Sequence, residues 1–551
     1  MVINQIKKYY DILKNYSTVY MYVYGISTII IAIFPFFNIF FIRYILNSLT
    51  NFTVSDLNVA VMIYLTVSLL QYIVTKINSF ASDMMELTLG NQIAINIMES
   101  TENLTLFQFE QHDFQNQIRR AMENSLGVFV SNITIFINTL TTVVTIIISV
   151  IYISQWNIFI GITVLIFPFL FYKLYIRINQ EHYRVSIKQT EPKKINWYIT
   201  FLLTQDDAFR ENKIFKFSRY LIQKYRKNVG SFIQDTKELF KFDSKISFVP
   251  ELANILLVIL VIYHLLREAI IGTILVGSIV AMLQMTFQIL DSSKELSGNI
   301  ISLEKNSYYI DELIDVLNIS KDKRNDKEVR YNQKIKSITL KNISFFRDDI
   351  PVFQNFNLHL ERGLYFVIGD NGSGKTTLLK LISGLYKPDS GNIVINNRVC
   401  ERTSDILKQE SSVLFQNFKR YENTLKENIF FGDYKEKENK DRLDMILNKE
   451  LLNFIEWESK NNDIQLGSWF EGARDFSGGE WQKIAFGRTL FKEASIYIFD
   501  EPNSMIDEKG CKVIDHELRK LAKENIVIVI THKTHLIKKD DNVIHLKKIV
   551  T

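Results

Sequence analysis

Two glycines flank four residues, with a lysine and a hydroxyl next, in Gly369-Asp370-Asn371-Gly372-Ser373-Gly374-Lys375-Thr376. Ahead of this stretch the apolar run 364–368 reads as a buried strand, and residues 377–382 behind it have the make-up of a helix start. Strand, glycine-rich loop and helix in that order form a cradle for phosphate. The glycines let the backbone curl until several N–H groups and a helix N-terminus face one anion. Lys375 is placed to reach the terminal phosphates of a nucleotide, and Thr376 to hold Mg²⁺. A plain glycine turn is the alternative, and Lys-Thr at this offset counts against it.

Further along, the strand-like run Ile496-Tyr497-Ile498-Phe499 ends in Asp500-Glu501-Pro502. Two acids at a strand end put one carboxylate near Mg²⁺ through water and let the next polarise an attacking water. A bare solvated turn is the other reading. Between the two motifs, Phe476-Ser477-Gly478-Gly479-Glu480-Trp481-Gln482 starts a helix on Ser-Gly-Gly, a second anion site distant in sequence from the first. Gln416 follows the run Val413-Leu414-Phe415, and Ser504, Met505, Ile506 and Asp507 come just past the carboxylates. His532 follows the apolar run 526–530. A lone histidine after a strand is usually structural, but after the last sheet strand of a phosphate-loop domain γ-phosphate contact gains weight.

Such residues need a mixed α/β domain to hold them, and alternating strands begin near Ile335, with runs at 338–340, 358–360 and 365–368. Before it, residues 318–334 are a charged linker containing the run 320–330. The 551 residues exceed one ordinary domain. A net charge of +5 carries no nucleic-acid footprint. Cys400 and Cys511, far apart, suggest a reducing compartment rather than a disulfide framework. The first apolar block is too long for a cleavable signal peptide.

The N-terminal portion, 1–317, is organised by long apolar blocks. A helix needs about 20 apolar residues to cross a bilayer. Six spans are expected, near 19–42, 57–75, 130–153, 156–176, 246–266 and 270–290, with a polar turn at Ser154-Gln155-Trp156-Asn157. Residues 1–16 read as an amphipathic helix on the membrane surface or a solvated arm. Residues 76–123 and 173–245 are long and polar with helical patterning. The second carries Lys173, Arg177, Arg184, Lys188, Lys193 and Lys194, which puts that side, both termini and the α/β domain in the cytoplasm. Apolar-aromatic clusters at 109–114 and 198–203 could dock on a cytoplasmic domain or pack within the long helices.

In this order, the motifs resemble those of a half-size ABC exporter over nearly the whole chain. The fold implied is an all-α membrane domain of six transmembrane helices with long cytoplasmic extensions, fused to an α/β P-loop NTPase domain at 335–551. Gly479-Glu480-Trp481-Gln482 and Phe415-Gln416-Asn417-Phe418 are most similar to bacterial lantibiotic or bacteriocin peptide exporters. The resemblance implies ATP and Mg²⁺ as cofactors. Gly369, Asp370, Asn371, Gly372, Ser373, Gly374, Lys375, Thr376 and Thr377 would be the Walker A set. Asp500 would be the Walker B carboxylate, Glu501 the catalytic base, His532 the switch histidine and Gln416 the coupling residue. Thr376, Gln416 and Asp500 would attend the metal. Ser477, Gly478, Gly479 and Glu480 would close over ATP bound to a second copy, with Asp507 nearby. The partner would be a second copy or a related half-transporter, in a bacterial cytoplasmic membrane among its lipids. The clusters at 109–114 and 198–203 match the family's coupling helices.

Several positions depart from the family pattern. Arg347, preceded by Phe345 and Phe346, stands where a tyrosine usually stacks on adenine. The signature opens with Phe476 and ends in Glu480, and Asn503, Met505 and Ile506 replace the usual Thr, Ala and Leu. The α/β domain stops soon after His545 without the usual tail. Nothing ahead of the first span is long enough for a protease domain, so cargo is expected to move untrimmed. Asn132, Asn138, Thr139, Thr141, Thr142, Gln71, Gln284 and Gln288 could face a cargo cavity or bond between helices. Glu251, at the cytoplasmic start of a span, reads as structural rather than functional. An uncharged aromatic-rich lining suits a modified peptide, a lipid or a hydrophobic drug. A siderophore importer on the exporter fold and an ATP-gated channel or sensor are remoter readings.

Overall fold

The computed structural model describes residues 18–48, 54–102, 104–111, 114–115, 118, 126–204, 206–321, 331, 333–347, 350–400, 402–452, 464–533 and 537–548. The helix expected over 1–16, and residues 322–330 of the linker charge run, lie outside the described residues. The chain divides into two units, Met1–Asn103 with Gln115–Lys323, and Leu104–Phe114 with Arg324–Thr551.

In chain order the first helices are α1 (Val19–Ser48), α2 (Val54–Glu102), α3 (Leu106–Glu110), α4 (Leu126–Ser154), α5 (Ile158–Leu170) and α6 (Tyr172–Thr204). They are followed by α7 (Asp206–Phe215), α8 (Ser218–Ile271) and α9 (Val276–Lys321). All but α3 form the first unit. Among the described residues, Val19–Ser48, Asn58–Glu102, Gly127–Ser154 and Ser218–Ile271 are long and apolar enough to cross a membrane, and Ile158–Phe167 is a shorter apolar helix. The polar turn after α4 lies where Asn157 accepts a hydrogen bond from the Phe159 amide at 2.9 Å and starts α5. The helix expected over 156–176 is broken at Phe171. α8 runs on to a left-handed Gly272 at φ 83°, so Ile270 and Ile271 end the fifth long apolar stretch instead of opening the sixth. The next helix, α9, carries Ser278, Gln284, Thr286 and Gln288 among its apolar residues, which dilutes its hydropathy.

The polar extension of α2 stays helical because an apolar seam continues along it. Ala81, Met85, Leu89, Ile93 and Ile97, four residues apart, pack with Phe129, Val130 and Ile133 of α4 and Ile310, Leu313 and Val316 of α9. Most of the polar span residues are engaged between or along helices. Tyr24 donates to Asn138 Oδ1 at 3.2 Å, Asn306 to Asn132 Oδ1 at 2.8 Å, and Asn38 to Gln71 Oε1 at 3.4 Å. The hydroxyls of Thr139, Thr141 and Thr142 donate to carbonyls of their own helix. Gln284 Oε1 is buried without a hydrogen-bond partner. Glu251 pairs with Lys294 at 2.7 Å, in keeping with a structural role.

In the second unit two sheets share the work. An antiparallel sheet has the order β2-β1-β4-β5, from β1 (Ser337–Arg347), β2 (Ile350–Glu361), β4 (Ser390–Ile395) and β5 (Arg398–Val399). A parallel sheet has the order β6-β7-β8-β3-β9, from β3 (Gly363–Gly369), β6 (Ser411–Leu414), β7 (Ile496–Asp500), β8 (Ile526–Ile530) and β9 (Asn542–Leu546). β7 and β8 are buried at every residue, as expected of central parallel strands covered on both faces. Their helices are α10 (Lys375–Ile382), α11 (Thr403–Glu410), α12 (Leu425–Phe430), α13 (Lys440–Leu447), α14 (Gly478–Phe491) and α15 (Glu508–Ala522). The register pairs Val367 and Asp500 each with Ile530, and Leu414 with Phe499, so four strands end level. Crevices at the carboxyl ends of parallel strands are where such sheets bind ligands.

Candidate active site

The loop from β3 to α10 leaves the sheet at that level edge. Gly372 and Gly374 take φ of 80° and 92°, a region that suits only glycine without strain. At Gly374 a Cβ would also lie 2.9 Å from Phe353 Cζ. Lys375 Nζ donates to the carbonyls of Gly369 (2.6 Å) and Asp370 (3.1 Å), which places its charge over the loop. Ser373, 4% exposed, holds a buried Oγ with no hydrogen-bond partner inside this cradle. Asp370, Asn371 and Thr376 are exposed, and Thr377 is half-buried.

Asp500 ends β7, level with Val367 of β3 across Ile530 of β8. Burial, and next the charge of Glu501, push its carboxyl up to about 6, against the pull of Lys375 and His532. Glu501 follows with φ 52°. A non-glycine residue held there costs ~1–3 kcal/mol and persists only if its surroundings dictate it. Its amide donates to Ile530 O at 2.9 Å. Gln416 Nε2 donates to Glu501 Oε2 at 3.2 Å, and His532 Nε2 lies 3.5 Å from Glu501 Oε1. Lys375, Asp500, Glu501, Gln416 and His532 therefore converge on one edge of the sheet.

Ser477, Gly478, Gly479 and Glu480 form the start of α14. Ser477 caps it, and Glu480 accepts from the Ser477 amide at 2.7 Å, completing a capping box. That commits the Glu480 carboxylate to its own helix end. Asp507 caps α15 without a side-chain hydrogen bond and lies 3.8 Å from Lys483 Nζ.

Comparison with known proteins fits this geometry. The ABC transporter family profile matches residues 353–504. The chain is 28% identical to the subtilin transport ATP-binding protein of Bacillus subtilis, covering 95% of this chain and 86% of that one. It is 30% identical to the nisin transport ATP-binding protein of Lactococcus lactis subsp. lactis, over 98% of this chain and 91% of the relative. The chain belongs to the ABC transporter family. An ATP-dependent lipid A-core flippase of Francisella tularensis is 25% identical over 85% of this ABC transporter and 78% of the flippase. In fold, the transporter matches a bacterial Atm1-family ABC exporter with ATP bound, with a TM-score of 0.79 at 16% identity, covering 98% and 95% of the two chains. This ABC transporter is a membrane protein that binds ATP and couples its hydrolysis to transport.

Three side chains of the ABC transporter to which sequence reasoning gave no individual role brace the elements that carry its site. Gln482 of α14 reaches the carbonyl of Glu501. Glu110 of α3 accepts from Lys380 Nζ of α10 at 2.7 Å and from the Tyr386 hydroxyl. Arg488 of α14, pushed down to about 10 by burial, donates to Asn428 O and Oδ1 and lies 4.5 Å from the Tyr421 ring. Only the burial of a polar residue on an apolar helix face could have flagged Gln482 in the sequence. Of the cluster at 109–114, docking within the second unit rests on neighbouring Leu106 and Phe107 and on Glu110. Leu106 packs on the core, Phe107 meets the Tyr386 ring edge-on at 6.2 Å, and Phe109 is exposed. His112 and Asp113 lie outside the described residues. The cluster at 198–203 is the end of α6 in the first unit.

At the end of β1, Phe345 is turned inward and stacks on Tyr386, ring centroids 5.1 Å apart. Phe346 (41% exposed) and Arg347 are left at the surface. Replacing Arg347 by Ala is expected to weaken ATP binding by about threefold, the value of an exposed cation–π contact. Titration with a fluorescent ATP analogue checks this. An unchanged affinity in Arg347→Ala with a loss in Phe346→Ala would move the base contact to the ring.

Proposed function

We propose that this ABC transporter exports an amphipathic peptide of the lantibiotic type across the bacterial cytoplasmic membrane, as a dimer working by alternating access. The observation that carries the cargo is the near full-length likeness to the nisin and subtilin transport proteins, which is stronger than the likeness to the lipid A-core flippase. All six apolar stretches are taken to cross the membrane, with both termini and the nucleotide domain in the cytoplasm, on the positive charge of 173–245.

In this reading Lys375 and the amides of the 369–376 loop hold the phosphates of ATP. Thr376, Asp500 and Gln416 would hold Mg²⁺. Buried Asp500 beside the part-exposed Glu501, and the unpartnered Ser373 Oγ, suit a cation and a phosphate oxygen there. When bound, Mg²⁺ supplies neutralisation of charge on the phosphate oxygens. Glu501 orients and deprotonates the attacking water, His532 approaches the terminal phosphate, and Gln416 reports on the site to the membrane half. Ser477, Gly478 and Gly479 close over the ATP of the other copy, with the positive end of α14 facing phosphate.

Uptake by inside-out vesicles decides the cargo. With MgATP, vesicles bearing the transporter are expected to accumulate a labelled lantibiotic precursor, and vesicles bearing Glu501→Gln are not. Translocation of a labelled lipid with no peptide uptake would establish the flippase reading instead.

A further inference from the structure

Gln482 is 2% exposed, and its amide is used at both ends. Nε2 donates to the Glu501 carbonyl at 2.9 Å and to Ser504 Oγ at 3.2 Å, while Oε1 accepts from the Met505 amide at 3.0 Å. One side chain of α14 thus grips the turn that follows β7 at three points. That turn contains the left-handed residue Glu501. The Glu501 amide is tied to Ile530 and its carbonyl to Gln482, so the two bonds together dictate an unfavourable conformation and the aim of its carboxylate towards Gln416 and His532. The start of α14 is pressed against the same turn. A Cβ on Gly479 would lie 2.5 Å from Met505 O, and one on Gly478 3.0 Å from Met505 Sδ. The two segments are therefore closely packed.

We infer that Gln482 is a positioning residue for ATP hydrolysis. It sets the main chain of Glu501 and makes that turn follow any displacement of the Ser477 end of α14, so a ligand met by that end is registered at the carboxylate. This rests on the reading of Glu501 as the group that activates water.

The test uses the full-length transporter in lipid nanodiscs, with Gln482→Leu, Gln482→Glu and, as reference, Glu501→Gln. Leu removes donor and acceptor at similar volume. Glu keeps the acceptor for Met505 and loses the donor to Glu501. Both are expected to lower kcat for ATP by roughly 10- to 100-fold, the effect of a small misplacement at a reacting centre, while KM and the affinity for MgATP hold. The Glu variant carries a further signature. A buried carboxyl has a raised pKa, and once protonated it can donate to the Glu501 carbonyl again, so its kcat relative to wild type should recover as pH is lowered from about 8 to about 6. Near wild-type kcat in both variants, beside an inert Glu501→Gln, would overturn the inference. So would a loss of MgATP affinity in step with kcat, or a Glu variant with no recovery at low pH. Full turnover by Glu501→Gln would overturn the reading of Glu501 itself.

Discussion

Glu501→Gln is expected to bind MgATP with wild-type affinity and to hydrolyse it at least about 100-fold more slowly, the lower end of what a positioned acid or base contributes. The substitution keeps the size of the side chain and the main-chain bonds to Ile530 and Gln482. What it removes is the carboxylate that Gln416 and His532 approach at 3.2 and 3.5 Å. It also removes a negative charge beside Asp500, one cause of that carboxyl being pushed up. Affinity for MgATP should therefore hold or improve while turnover collapses. Steady-state ATPase measurements with a parallel binding titration separate the two. A variant that turns over at even a tenth of the wild-type rate would assign the activating group elsewhere.

Reversing the charge of Glu110 is expected to uncouple transport from hydrolysis. The side chains of Lys380 and Glu110 are 14% and 29% exposed. The pair lies between the ~0–1 kcal/mol of an exposed ion pair and the ~3–5 kcal/mol lost when a buried one is broken. Burial alone would raise the Glu110 carboxyl. Hydrogen bonds from Lys380 and Tyr386, and the charges of Lys380 and Arg347, hold it below its ordinary value. The pair is thus intact at neutral pH, and its contribution is lost only as pH falls through that lowered value. Lys380 sits on α10, the helix that begins at the phosphate loop, and Tyr386 stacks on Phe345 beside the proposed base contact. Glu110→Lys should cut transport by about tenfold, equivalent to ~1.4 kcal/mol, with basal ATPase largely retained. Glu110→Lys combined with Lys380→Glu should restore most of it. Vesicle uptake for both variants is the measurement, and a double variant as poor as the single one would sink the assignment.

That Lys375, Asp500, Glu501, Gln416 and His532 belong to one candidate site was legible in the sequence because they lie in or beside contiguous motifs. A phosphate loop needs its glycines next to its lysine, and an acid pair at a strand end is visible as soon as the strand is. The residues that steady those groups carry no such mark. Gln482 lies 19 residues from Glu501, and Lys380 lies 270 from Glu110. Their meaning depends on burial and on which element ends meet. Phe345, Phe346 and Arg347 could not be sorted for the same reason, since irregular register along β1 decides which side chain turns inward. In the helical unit, apolar length marked the long helices. The seam that keeps α2 helical past its apolar part was visible only as polar helical patterning. The junction after α8 was misplaced by a few residues, because two isoleucines before a glycine look alike at the end of one helix and the start of another.

Leu104–Phe114 belongs to the C-terminal unit although in sequence it comes between α2 and α4 of the N-terminal one. During synthesis this has a direct consequence in time. The Tyr386 that receives Glu110 is made 276 residues later, which at ~5–20 residues per second is a delay on the order of 14–55 s. For that interval Leu106 and Phe107 have no seat, while the helices that follow are already leaving the ribosome. The nascent chain must therefore tolerate an uncovered segment until the very unit that covers it has folded. The seating of α3 is then among the last events of biogenesis, and a chain halted before Tyr386 would leave Glu110 and Phe107 without the ring that receives them.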